Sequence, residues 1–121
     1  MEYEDYQYLR FERKGKGILL VKIDRPEVLN ATNARLHNEL TSVWSTLGRD
    51  HLTNVVVITG EGDKAFSAGG DIALIEGMIG NSKEIARIQT EARDLGYNIL
   101  AFEKPIISAI NGVAVGAGLA V

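Results

Sequence analysis

An apolar run followed by a glycine-rich turn occurs twice in this chain, and it constrains the fold more than any other feature. The first run, "NVVVIT" at residues 54–59, is followed by "KAFSAGGDI" at residues 64–72. The second, "KPIISAINGVAVGAGLAV" at residues 104–121, combines a run and a turn. Continuous β-branched runs are typical of strands covered on both faces of a parallel sheet. We therefore predict that both runs contain buried strands.

The segments before the first run carry strand and helix patterns. Residues 8–13 and 18–23 indicate two strands joined by the turn "KGKG", and the loop "DRPEVLNA" follows them. Thr32 or Asn33 can cap the next segment as a helix, and Gly48 is placed to end it. Its apolar face is formed by Leu36, Leu40, Val43, Trp44 and Leu47.

Two further helices are predicted after the first glycine turn, a short one within "DIALIEGMIG" and a longer one over residues 82–102. The order strand, loop, helix therefore recurs, which is typical of α/β proteins with right-handed crossovers. We predict one domain over residues 1–121. A helix is expected after Gly118, where three residues remain, so we also expect the chain to be part of a longer protein.

Composition excludes several classes of function. The chain has 121 residues, a net charge of −3 and 13 basic residues without a dense stripe, which disfavours a nucleic-acid partner. It has no Cys, so disulfides, thiolate metal sites and Cys nucleophiles are excluded, and a reducing compartment fits. Residues 105–121 are too short and too interrupted to span a membrane. Because a secretory signal is also missing, we expect a cytoplasmic protein without membrane contact.

The two glycine turns are the candidate site. Each follows a predicted parallel strand and precedes a helix, which is where α/β proteins usually bind ligands. Gly69 and Gly70 in the first turn, and Gly116 and Gly118 in the second, allow backbone N–H groups to point at a ligand. Two convergent donors would form an oxyanion hole for charge developing on a carbonyl oxygen. For either turn alone, we favour the interpretation that the glycines only permit a tight turn.

Other catalytic motifs are missing. The chain has neither a G-x-x-x-x-G-K-[ST] phosphate loop nor a G-x-G-x-x-G turn, and no G-x-S-x-G elbow surrounds Ser67 or Ser108. His37 and His51 have no evident partner, and we expect both to be surface residues. No metal site is predicted.

Three ordered segments resemble the crotonase superfamily, the enoyl-CoA hydratase/isomerase group. They are "GILLVKIDRPEVLNA", "VVVITGEGDKAFSAGGDI" and "KPIISAINGVAVGAG". The resemblance implies an α/β fold that is a spiral of β-β-α repeats, here truncated before a C-terminal helical region. It also implies acyl-CoA thioester substrates, no cofactor besides the coenzyme A of the substrate, and a homotrimer or dimer of trimers at full length.

The resemblance also assigns site residues. It implies that the backbone N–H groups of Gly70 and Ala117 form the oxyanion hole. The substrate-binding residues that it implies are Ala68, Gly69, Gly70, Asp71, Ile72 and Ala117. The "RPEVLNA" loop would pack against the coenzyme, although Glu27 stands where some members have Lys. Arg25 and Lys64 are candidate cations for the phosphates, and for each we favour solvated surface charge.

One position departs from the family pattern. Hydratases of this family usually have Glu where this chain has Ala120, and Ala cannot transfer a proton. We therefore favour an isomerase or an atypical hydratase that stabilises a thioester enolate, with its acid/base residue beyond Val121. The alternatives are a non-catalytic acyl-CoA-binding protein and an inactive structural fragment.

Overall fold

The computed structural model describes residues 2–116 and residue 118, and it is a mixed α/β structure. The strands are β1 (Leu9–Arg13), β2 (Ile18–Ile23), β3 (Val55–Gly60), β4 (Ala65–Ser67), β5 (Ile106–Ser108) and β6 (Val113–Ala114). The helices are α1 (Ala34–Arg49), α2 (Ile72–Met78) and α3 (Ser82–Ala101), and short 3-10 turns lie at Tyr3–Asp5 and Pro26–Val28. Each strand predicted from the sequence, and each helix predicted before Gly118, is therefore present, with ends that differ by at most two residues. Strands β4 and β6 were not predicted, and the helix expected after Gly118 lies outside the described residues.

The strands form two sheets, and the chain alternates between them. The first has the order β1-β2-β3-β5, with β1 antiparallel to β2 and the other neighbours parallel. The second pairs β4 with β6 in parallel, and an isolated parallel bridge joins Thr32 to Gly70 beside it. Along the chain, β2 is followed by the bridge residue Thr32 and then by α1. Strand β3 is followed by β4, α2 and α3, and β5 is followed by β6. This recurring order is a β-β-α repeat.

Helix α1 covers the first sheet with the apolar face that its sequence predicts. Its five predicted core residues, Leu36, Leu40, Val43, Trp44 and Leu47, are at most 4% exposed. They pack against strand residues that include Val21, Val56 and Ile58. Full burial of each aliphatic side chain contributes about 1.5–3 kcal/mol, so this layer supplies much of the stability.

The two ends of α1 are stabilised differently. Asn33 is the cap, as one of the two predicted candidates, and its Oδ1 accepts a hydrogen bond from Leu36 N–H at 2.8 Å. Gly48 does not end the helix, which continues to Arg49. Instead, Lys104 Nζ donates to the carbonyl oxygens of Leu47 and Asp50, at 2.7 Å each, and so satisfies acceptors of the last turn.

The expected burial of the two parallel strands is only partly correct. In β3, Val56 and Ile58 are buried, whereas the residues that alternate with them are half-buried. Strand β5 is exposed along most of its length, and Ile107 is 52% exposed. The reason is its place at the end of the sheet that the described residues form, with β3 as its neighbour on one side. Over those same residues, no helix has the length and apolar character needed to cross a bilayer.

Candidate functional site

The two glycine turns lie side by side at the carboxyl ends of β4 and β6. The paired residues are Ala65 with Val113 and Ser67 with Ala114. Beyond the strands, Val115 N–H donates to the Ser67 carbonyl oxygen at 3.2 Å. At Gly116, an added Cβ would lie 3.8 Å from Gly69 Cα. The two turns are therefore adjacent, although they follow β4 and β6 instead of β3 and β5, the strands that were predicted to precede them.

Most of the glycines in the two turns are required by the backbone itself. Gly69 and Gly116 have φ values of +88° and +57°, a region that side chains disfavour. A Cβ on Gly118 would lie 2.7 Å from Ser67 Cβ, and closer still to the Ser67 carbonyl oxygen. At Gly70, by contrast, φ is not in the left-handed region, and a Cβ would meet only Leu74 Cδ2 at 3.6 Å. Gly70 is thus the turn glycine whose side-chain position is open.

The N–H groups of the first turn differ in a way that singles out Gly70. Ala68 N–H donates to the Leu29 carbonyl oxygen at 3.0 Å, and Asp71 N–H donates to that of Thr32, also at 3.0 Å. Gly69 N–H donates to Ser67 Oγ at 3.2 Å. Gly70 is an exposed residue, and no acceptor among the described residues takes its N–H. A backbone donor without a protein partner is available to a ligand.

The loop of residues 25–32 holds this turn in place. Asn30 is fully buried at a φ of +56°, and its Nδ2 donates to the carbonyl oxygen of Ala65 at 2.9 Å. Ser67 Oγ donates to the Asn30 carbonyl oxygen at 2.8 Å, and Thr32 N–H donates to that of Gly69 at 2.7 Å. Backbone and side-chain bonds thus connect the loop to β4 and to the turn after it.

Asp71 and Ile72 have different surroundings. Asp71 Oδ1 caps α2 by accepting from Leu74 N–H at 2.8 Å, and its Oδ2 lies 3.1 Å from Arg25 Nη1. Both of its carboxylate oxygens therefore have partners within the protein. Ile72 is 73% exposed beside the turn, and Ile75 on the same helix and Ile79 directly after it are also exposed. Ala117, the second expected oxyanion donor, and Ala120 lie outside the described residues.

The two candidate cations for phosphate behave differently from each other. The Arg25 side chain is only 12% exposed and is paired with Asp71, so the expectation of solvated surface charge is wrong for this residue. The same burial and pairing leave it poorly placed to meet phosphates. Lys64 is exposed, and no carboxylate of the described residues forms an ion pair with it, which agrees with solvated charge. The pairing of Arg25 could not be inferred from local sequence, because Asp71 is remote in the chain.

The two histidines also differ. His51 is exposed, as expected. The expectation for His37 is wrong, because its side chain is buried between α1 and α3 and its Nδ1 lies 2.7 Å from Glu91 Oε1. Across the part of the chain that the structure describes, no group of three or more His, Cys, Asp or Glu side chains could hold a metal ion.

Two clefts differ in their relation to the turns. A cleft of about 230 Å³ lies between the 25–32 loop and the turn before β4, lined by residues that include Pro26, Leu29 and Lys64. A larger one of about 320 Å³ lies at the ends of α1 and α3, around Trp44 and Phe102. The larger cleft contains no residue of either glycine turn. The smaller one likewise contains none of residues 68–71, but it adjoins β4 through Ala65. A further cleft of about 280 Å³ is lined by Asp71 together with Asn33 and Leu74.

Comparison with known proteins identifies the family. A family model described as enoyl-CoA hydratase/isomerase matches residues 13–121. The chain is 32% identical to the crotonyl-CoA hydratase of Syntrophomonas wolfei, over 93% of this chain and 42% of that protein. It is 35% identical to the short-chain-enoyl-CoA hydratase of Clostridium acetobutylicum, over 88% of this chain and 40% of that protein.

A solved structure agrees with these matches. The crystal structure of an enoyl-CoA hydratase/isomerase from Mycobacterium paratuberculosis has a TM-score of 0.85 with this chain at 31% identity. That match covers 92% of this chain and 44% of the other. The chain therefore belongs to the enoyl-CoA hydratase/isomerase family, and its β-β-α repeats have the crotonase fold. It spans less than half the length of these relatives.

Proposed function

We propose that this chain binds an acyl-CoA thioester and stabilises negative charge on the thioester carbonyl oxygen. The observation that carries the proposal is the N–H of Gly70. It has no acceptor among the described residues, whereas its three neighbours in the turn are all bonded. The second donor that the resemblance implies is the N–H of Ala117, which lies outside the described residues. The family membership and the names of the two hydratase relatives support the choice of substrate class.

The chemistry follows from where the charge develops. Removing a proton from the carbon next to a thioester carbonyl places the electron pair on the carbonyl oxygen as an enolate. Fixed N–H donors bind that oxygen more tightly in the enolate than in the neutral thioester, and this difference lowers the barrier. Removal of one such donor typically reduces turnover by about 10²–10³-fold. The coenzyme A portion would bind along Ala68, Gly69 and the smaller cleft.

The acid/base residues of the site determine whether it catalyses hydration, isomerisation or neither. This chain has Ala120 where hydratases of the family usually have Glu, and the Ala side chain cannot transfer a proton. We favour an isomerase or an atypical hydratase, in a full-length protein that assembles as a homotrimer or a dimer of trimers. The same Ala favours the second candidate, a family member that binds acyl-CoA without catalysis. Hydration or isomerisation of crotonyl-CoA by the full-length protein would exclude the second candidate.

Calorimetry tests the binding proposal. Acetoacetyl-CoA enolises readily, so it presents a charged oxygen to the donors, whereas free coenzyme A has no acyl carbonyl. We expect saturable binding of both ligands, with acetoacetyl-CoA binding more tightly. Lack of heat with either ligand, for protein whose circular dichroism shows it to be folded, would contradict the proposal.

A further inference from the structure

The side chain of Arg25 lies behind the glycine turn, on the side of the 25–32 loop. Its Nη1 donates to the Ala31 carbonyl oxygen at 2.5 Å and to Asp71 Oδ2 at 3.1 Å. The guanidinium carbon lies 5.1 Å from the centre of the Tyr8 ring, within the range of a cation–π contact. Nε of the same guanidinium is buried without a hydrogen-bond partner among the described residues, so the two Nη1 bonds and the Tyr8 ring are the contacts that place the cation beside the turn.

Two peptide groups connect this cation to Gly70. The carbonyl of Ala31 and the N–H of Thr32 belong to one peptide group, and that N–H donates to the Gly69 carbonyl oxygen at 2.7 Å. The Gly69 carbonyl and the Gly70 N–H belong to the next peptide group. A trans peptide directs its C=O and N–H in opposite directions. The bond from Thr32 therefore aims the Gly70 N–H away from the loop, toward the open side of the turn.

The order of these bonds has an electrostatic consequence. A guanidinium on the Ala31 oxygen polarises that peptide and makes the Thr32 N–H a stronger donor, and the Thr32 bond polarises the next peptide in the same sense. Successive hydrogen bonds strengthen one another by about 10–30% per bond in condensed-phase estimates. The N–H of Gly70 is the last donor in the series. Asp71 holds Arg25 in place and has its own N–H fixed by the Thr32 carbonyl oxygen.

We infer that Arg25 is a positioning residue for the oxyanion donor: it orients and polarises the Gly70 N–H through the Ala31–Thr32 and Gly69–Gly70 peptides. The expected effect of Arg25 on ligand binding rests on the proposed function, in which the Gly70 N–H binds the thioester carbonyl oxygen. This role differs from phosphate binding, because the Arg25 side chain is directed toward the Ala31 carbonyl oxygen and Asp71 and away from solvent. Asp71 is its partner in this role.

Paired calorimetry separates this role from a structural one. In Arg25→Gln, we expect affinity for acetoacetyl-CoA to fall by about tenfold, as for a weakened charge-assisted hydrogen bond. Affinity for free coenzyme A stays within about twofold, because that ligand does not use the donor. Arg25→Lys restores part of the loss, since its ammonium can still reach one acceptor. Arg93→Gln, which removes an exposed ion pair with Asp94 on α3, is the matched control and changes neither affinity.

Asp71→Asn keeps an oxygen for the cap of α2 while it weakens the hold on Arg25, so it serves if Arg25→Gln does not fold. An equal loss for both ligands, or no loss for either, would show that Arg25 is only structural. The Gly70 amide resonance of the ligand-free protein gives a second readout, which we expect to move upfield in Arg25→Gln and to stay fixed in Arg93→Gln. If the parent chain does not bind acetoacetyl-CoA more tightly than free coenzyme A, the proposed function fails. A Gly70 amide resonance that does not move in Arg25→Gln would overturn the present inference separately.

Discussion

Val115 donates its backbone N–H to the carbonyl oxygen of Ser67 at 3.2 Å, and this bond joins two turns that are remote in sequence. It continues the parallel pairing of β4 with β6 beyond the last strand residues. A parallel pair brings the carboxyl ends of its strands to one edge. The candidate site is therefore a consequence of strand pairing, with loop packing as its support.

The close approach at Gly118 gives the first prediction. Gly118→Ala places a methyl group against Ser67, so we expect a loss of about 1–3 kcal/mol in the free energy of unfolding. Gly48→Ala is the matched control. It lies within α1 with no atom near an added Cβ, and we expect it to gain about 0.5–1 kcal/mol. Urea unfolding of both variants checks the pair. Equal stability of the two would show that the turns are not tightly packed.

Asp50 gives a prediction about pH. Burial by itself would raise the pKa of Asp50, but hydrogen bonds from Tyr3, Thr53, Leu52 and Arg13 outweigh it and hold that pKa well below its usual value of 3.8. A carboxyl with a lowered folded-state pKa stabilises the protein above its unfolded pKa. This contribution is lost as the pH falls from about 4 through the lower folded-state pKa.

We therefore expect Asp50→Asn to cost about 1–3 kcal/mol at pH 7 and progressively less in acid. Tyr3→Phe removes one of the bonds to Asp50 and is expected to cost less. Urea unfolding between pH 2 and pH 7, values chosen to bracket the usual carboxyl range, checks this. A difference between Asp50→Asn and the parent that does not change with pH would contradict the account of the cluster.

Glu39 gives a third prediction. This fully buried carboxylate accepts hydrogen bonds from the backbone N–H groups of Gln7, Tyr8 and Leu9 and from Arg35 Nε at 2.6 Å. It thereby fixes the segment before β1 onto α1. Because Gln supplies one neutral acceptor in its place, we expect Glu39→Gln to lose about 2–4 kcal/mol. Glu12→Gln, at an exposed carboxylate on β1, is the control for loss of charge.

Hydrogen exchange adds a local readout for the same variant. We expect the amides of residues 7–9 to exchange faster in Glu39→Gln, while the amides of β3 keep their order of protection. Unchanged exchange at residues 7–9 would show that the carboxylate does not hold this segment.

A fourth prediction concerns Gly70 itself. Gly70→Pro removes the N–H, whereas Gly70→Ala keeps it and adds a methyl group where there is room. We expect Gly70→Pro to lose turnover by about a hundredfold or more in the full-length protein, and Gly70→Ala to retain most of it. Circular dichroism controls for distortion of the turn by proline. Similar losses in both variants would indicate a steric effect instead of a lost donor.

Local patterns were sufficient to predict most of the fold. The face of α1 from Leu36 to Leu47 follows from helical periodicity, and the cap at Asn33 follows from local hydrogen bonding. The turns are adjacent, but they follow β4 and β6, two short strands of a second sheet that the sequence analysis did not predict, instead of β3 and β5. Burial of β5 was overestimated because an apolar run does not reveal how many neighbours a strand will have.

The support of the site was not predictable in the same way. Arg25 and Asp71 are 46 positions apart, and His37 and Glu91 are 54 apart, so no local pattern indicates either pair. The sequence suggested surface positions for Arg25 and His37 because charged and titratable side chains are usually exposed. Their burial depends on partners that only the folded chain brings near.

The amide proton of Gly70 provides the most direct test of the central claim. At 13.2 kDa, the chain is suited to a titration of its ¹⁵N-labelled form with acetoacetyl-CoA, followed residue by residue. A charged oxygen that accepts from the Gly70 N–H would move its proton resonance downfield, and free coenzyme A would leave it nearly unchanged. We predict that selective downfield movement. Binding that shifts other amides but leaves Gly70 unmoved would contradict the assignment of the oxyanion donor.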